Sequence, residues 1–132
     1  MWVGIYKRLN PLPDFSGVRF DVEAVHDDWE GFRIWFHPHD VTKAMIIAKF
    51  DNPLFYSSSY DGDRLDGAKN DMSNVFPHLF WEVTDSSLVK EFKRQSAGIR
   101  NEEIIYHYCF MSCNQAVDVL SHSAPIFIGH EI

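Results

Sequence analysis

Hydrophobic and polar residues alternate along much of this chain. Between Gly17 and Val25, Val18, Phe20, Val22 and Ala24 fall on one side and Arg19, Asp21, Glu23 and Val25 on the other, the two-residue period of a strand with one buried face. His26 to Gly31 reads as a loop. Phe32 to Phe36 gives a second strand, ended by His37-Pro38-His39-Asp40 because proline cannot donate to a sheet ladder. Lys43 to Phe50 gives a third, the turn Asp51-Asn52-Pro53 follows, and Leu54 to Tyr60 gives a fourth. Strands joined by such short polar connections predict an antiparallel meander. The segment Asn10-Pro11-Leu12-Pro13-Asp14 suits neither a helix nor a central strand, so ordered structure is expected to begin after it.

The second half changes period once. Asp61 to Ser73 is small and polar and reads as a loop or short helical turn, and Phe76 to Val83 returns to strand. Asp85 or Ser86 can then cap a helix in which Leu88, Val89 and Phe92 form a narrow apolar stripe, with Lys90, Glu91, Lys93 and Arg94 facing water and a stop near Gly98. The rest, Glu102 to Cys113, Val117 to Ser121 and Pro125 to Ile128, is rich in aromatic and β-branched residues and reads as successive strands. From Asn101 onward there are acidic side chains but no Lys or Arg. A sheet built this way is expected to bury one face and leave an acidic, tyrosine- and histidine-bearing face free. The predicted fold is α+β, a single domain over residues 1–132. It consists of a strongly bent antiparallel sheet of about six or seven strands with one principal helix, Ser86 to Ala97, packed on it.

Composition sharpens this picture. Of 132 residues 45% are hydrophobic and 15% aromatic, so large flat side chains fill the core. Cys109 and Cys113 would lie on the same side of one strand, about 13 Å apart, too far to bridge. The amino terminus has no basic segment before an apolar stretch, and no apolar run reaches the roughly 20 residues of a membrane helix. A reduced, cytoplasmic protein without membrane attachment is therefore expected. The net charge of −7 argues against nucleic acid as a direct ligand, since phosphate neutralisation needs a basic footprint. Asp21 to Glu30 holds five carboxylates and no Lys or Arg, and Asp61, Asp63, Asp66 and Asp71 form a second cluster that includes Arg64 and Lys69.

Sequence signatures of catalysis are absent. His37, His39 and Asp40, with His26, Asp27 and Asp28 nearby, make the most metal-like group, yet spacing fixes no third ligand and a solvated turn explains them. His107, Cys109, Met111 and Cys113 would share one strand face, where ligands spread along a line and core filling is the simpler account. Asp61 to Met72 fails the calcium-loop register, with Asp66 where glycine is needed and Met72 where glutamate is needed. There is no G-x-S-x-G elbow and no phosphate-binding loop, and no cofactor is expected. Among the aromatics, Trp29, Tyr56, Tyr60, Tyr106 and Tyr108 are candidate interface anchors.

The succession Phe80-Trp81-Glu82-Val83-Thr84-Asp85-Ser86, Ile105-Tyr106-His107-Tyr108, Val117-Asp118-Val119-Leu120-Ser121 and Ala124-Pro125 resembles that of small bacterial α+β proteins similar to the immunity proteins of contact-dependent and polymorphic toxin systems. The resemblance implies a non-enzymatic cytoplasmic inhibitor whose partner is a cognate protein toxin domain. Charge adds to this: an acidic protein can fill the basic cleft of a nuclease by standing in for phosphate. The expected partner-binding residues are Asp27, Asp28, Trp29 and Glu30 in one loop and Asp61, Asp63 and Asp66 in another. The competing expectation is a small metal-dependent hydrolase using His37, His39 and Asp40.

Overall fold

Phenylalanine and isoleucine at every second position give the segment Gly31–Pro38 a side that must leave water. Phe32, Ile34, Phe36 and Pro38 are buried while Gly31, Arg33, Trp35 and His37 are only partly so. The same logic applied along the chain produces nine strands and one helix among the described residues. The computed structural model describes residues 2–11, 19–39, 44–60, 80–112 and 115–131. In chain order the elements are β1 (Ile5–Leu9), β2 (Phe20–Asp28), β3 (Gly31–Pro38), β4 (Ala44–Phe50), β5 (Phe55–Tyr60), β6 (Phe80–Thr84), α1 (Ser87–Gln95), β7 (Tyr106–Met111), β8 (Gln115–Ser121) and β9 (Ile126–Glu131).

The strands form two antiparallel sheets instead of one bent sheet, which corrects the expected architecture. The larger is ordered β1-β6-β7-β8-β5 and the smaller β2-β3-β4-β9. Their facing sides share one core, in which Phe32, Ile34, Phe36, Ile46 and Phe50 meet Phe80, Tyr108, Phe110, Val117 and Val119. Phe110 lies at the centre, in ring contact with Phe36, Phe50, Phe80 and Phe127. Phe32 and Phe36 sit on one strand, yet the ring of Phe32 meets Tyr56 on β5 at 4.6 Å and that of Phe36 meets Phe80 on β6 at 5.5 Å. Those two partner strands are separated by β7 and β8. β3 therefore runs across the strands of the larger sheet, as in orthogonal sheet packing.

Two local features depart from the alternation read in the sequence. A bulge between Val22 and Ala24 shifts the β2 register, so that Val25 and not Ala24 packs toward the core. β1 precedes the proline-rich segment instead of ordered structure beginning after it, and pairs with β6 from Ile5↔Thr84 to Leu9↔Phe80. Gly4 permits this approach: a Cβ there would lie 2.5 Å from Val83 Cγ1 and 2.9 Å from the Thr84 carbonyl oxygen.

The helix begins close to where Ser86 predicts it. Ser86 is the N-cap, its Oγ accepting from the Val89 N–H at 3.2 Å, and Lys93 and Arg94 occupy the last turn, where positive charge complements the helix dipole. α1 lies on the side of the larger sheet turned away from the smaller one. Leu88 is its buried residue, and Phe92 meets the Phe55 ring at 6.2 Å. This layer overturns the expectation of a free tyrosine- and histidine-bearing face. In β7 and β8 both faces are covered, with His107, Tyr108 and Asp118 all buried. Cys109 and Met111 are core filling on the helix side, as their position on one strand face predicts.

Candidate functional site

The turn between β2 and β3 combines tight geometry with a side chain that has nowhere to go. Asp28 pairs with Gly31, leaving Trp29 and Glu30 as the connection. The Asp28 carboxylate accepts from the Glu30 N–H at 2.9 Å, which closes the turn, and Gly31 takes a φ of +104° that an L side chain rarely adopts. Trp29 is thereby held outward and is 90% exposed. An indole so exposed is uncommon in a folded protein and is the residue type most enriched among interface anchors.

Around this indole the charge is asymmetric. Arg33 donates to both oxygens of Asp28, at 2.8 and 3.1 Å, and reaches Glu30 at 3.6 Å. The guanidinium hydrogen bond holds the Asp28 carboxyl below its usual range. Asp28 is thus a structural acid that fixes the turn. Asp27 is exposed and forms no ion pair among the described residues, and Glu30 is held only at the longer distance. One guanidinium against Asp27, Asp28 and Glu30 leaves the tip negative.

Beside the tip lies a groove of about 350 Å³, lined by Asp27, Asp28 and Phe32 on one side and by Asn52, Leu54 and Tyr56 on the other. Tyr56 is 39% exposed, so the groove offers an aromatic wall next to carboxylates. The sequence named Asp27, Asp28, Trp29 and Glu30 as a loop; the structure places them on a hairpin tip and adds the β4–β5 turn, far along the chain, as the second wall. Asp61, Asp63 and Asp66 lie outside the described residues, as do Asp40 and Cys113.

His37 sits on β3 opposite Asp21, and His39 Nε2 lies 3.0 Å from Asp21 Oδ2. Among the described residues no three His, Cys, Asp or Glu side chains converge as metal ligands would. Tyr106 is 38% exposed, whereas burial, helped by Glu82 and Tyr106, pushes the Tyr108 hydroxyl up to about 12.

A second constellation was not singled out by sequence. Under α1, Ser86 Oγ lies 2.7 Å from His107 Nδ1, and His107 Nε2 lies 2.7 Å from Asp118 Oδ1. His107 and Asp118 are fully buried. They are diagonal neighbours on one face of the β7–β8 pair, since His107 is opposite Leu120 and Asp118 opposite Cys109. The signal available in the sequence was a histidine and an aspartate alternating among apolar residues in adjacent strands, visible only once the register is known.

No protein-family model, curated protein or solved structure matches the chain.

Proposed function

We propose that this chain is a binding protein of the immunity type, a cytoplasmic inhibitor that occupies the basic active-site cleft of one toxin domain, most simply a nuclease. The observation that carries the reading is Trp29, 90% exposed at the apex of a hairpin that also presents Asp27 and Glu30. A rigid indole in a carboxylate rim matches the anatomy of a protein interface, with an aromatic anchor seated in the partner and charge that steers the approach. The Asp28–Arg33 pair supports it from below by fixing the turn before binding, which reduces the ordering cost of association.

The test is to express the chain with the product of the adjacent reading frame. Co-purification with a toxin domain, protection of cells, and loss of both in Trp29→Ala support the reading; a partner bound equally well by wild type and W29A removes the hairpin from it. Metal analysis separates this reading from a metal-dependent hydrolase built on His37, His39 and Asp40. Stoichiometric metal lost in a His37→Ala, His39→Ala double variant would favour the hydrolase.

A further inference from the structure

The Ser86–His107–Asp118 chain has a polarity dictated by chemistry. An ionised Asp118 carboxylate can only accept, so His107 Nε2 carries a proton toward it, and in the tautomer with a single ring proton Nδ1 is an acceptor. The Ser86 hydroxyl then donates to Nδ1, while its oxygen accepts the Val89 N–H. A hydroxyl whose proton points at an imidazole, itself oriented by a buried carboxylate, is the arrangement that activates a serine. Local structure adds to the likeness. Ser86 stands between the end of β6 and the start of α1, and the preceding Asp85 is held at a φ of +50°, so the strand turns sharply into the helix at this position. Ser86 also borders a recess of about 400 Å³ lined by Val83, Val89 and Ile105 and by the charged residues Glu82, Lys90 and Lys93. That volume is within the range of small-molecule sites.

We propose that Ser86 is a nucleophile for short-chain carboxylic esters entering this recess, with His107 as its general base and Asp118 as the positioning residue. The Ser86 oxygen attacks the ester carbonyl carbon as its proton passes to His107 Nδ1. The imidazolium, stabilised by Asp118, returns that proton to the alkoxide as the carbon–oxygen bond to it breaks. Water then repeats the sequence on the acyl-serine and releases the acid. Of the first-turn amides, the Ser87 N–H is taken by the Val3 carbonyl and the Val89 N–H by Ser86 Oγ. The Leu88 N–H is left to serve the developing oxyanion. The site lies on the helix side of the larger sheet, while the Trp29 hairpin belongs to the smaller sheet, so the inference stands independently of the binding role.

The test treats folded wild-type protein with a fluorophosphonate probe and, separately, with p-nitrophenyl butyrate. The expected result is one phosphonyl adduct on the peptide containing Ser86 and steady release of p-nitrophenolate. Asp118→Asn should lower kcat at least 100-fold with KM little changed, and should slow labelling in parallel. Absence of an adduct at Ser86 in folded wild-type protein would overturn the proposal and leave the network as a clamp holding α1 to the sheet. Equal labelling rates in D118N and wild type would likewise overturn it. Because peptide mapping is done on the wild type, the answer does not depend on whether Ser86→Ala folds.

Discussion

At the residue scale, a side chain's type reveals its chemistry more readily than its partner. Trp29 was legible as an exposed aromatic because an indole amid Asp27, Asp28 and Glu30 has no apolar neighbours in the sequence to pack with, and it is exposed. His107 and Asp118 were not legible as a pair, because the diagonal contact that joins them depends on how β7 and β8 align. The contrast leads to opposite expectations for truncation. Trp29→Ala removes nothing from the core and should leave stability within about 0.5 kcal/mol of wild type in urea unfolding. Asp118→Ala leaves a buried imidazole without its acceptor and should cost about 3 kcal/mol or more by the same measurement. A D118A protein as stable as W29A would mean that the buried network does not hold the fold.

At the scale of elements, α1 was the most legible piece, with Ser86 capping and Leu88 and Phe92 turned inward as spacing predicts. Its exposed side carries a carboxylate with a testable pH signature. Hydrogen bonds from Arg94 and then Gln95 lower the Glu91 carboxyl from 4.5 to about 2. A folded value below the usual one means that the contribution is fully present above pH 4.5 and lost as pH falls toward 2. Thermal melts of wild type and Glu91→Gln should therefore differ most at neutral pH and converge by pH 2; a gap that widens on acidification would contradict the assignment. β2 was less legible, because the bulge after Val22 reverses which side chains point inward without any change in composition. β1 was missed, since the short Ile5–Leu9 run lies before a turn-rich segment and its pairing with β6 joins residues far apart in sequence.

At the scale of the whole molecule, alternation told which side of each strand is apolar but not which surface covers it. Phe36 and Phe110 each require a dry neighbour, and one bent sheet or two crossed sheets would satisfy both in the sequence; only the ring contacts show that they supply it to one another across the sandwich. Phe110 touches aromatic rings from both sheets, so Phe110→Ala should cost about 3–5 kcal/mol and loosen both together in a single unfolding transition. Two separate transitions would contradict a shared core. The described residues contain no helix long and apolar enough to cross a membrane. What the sandwich presents outward is uneven, with the hairpin tip combining the most exposed tryptophan with negative charge.

The most direct test of the proposed binding role takes the product of the adjacent reading frame as the candidate partner and measures its association rate with this chain by stopped flow across ionic strength for wild type, Asp27→Asn with Glu30→Gln, and Trp29→Ala. The account predicts a wild-type on-rate that falls steeply with salt, a flatter and slower profile for the double variant, and an affinity at least tenfold weaker for W29A through faster dissociation. Equal rates and affinities for all of these proteins would show that the hairpin tip is not the binding surface.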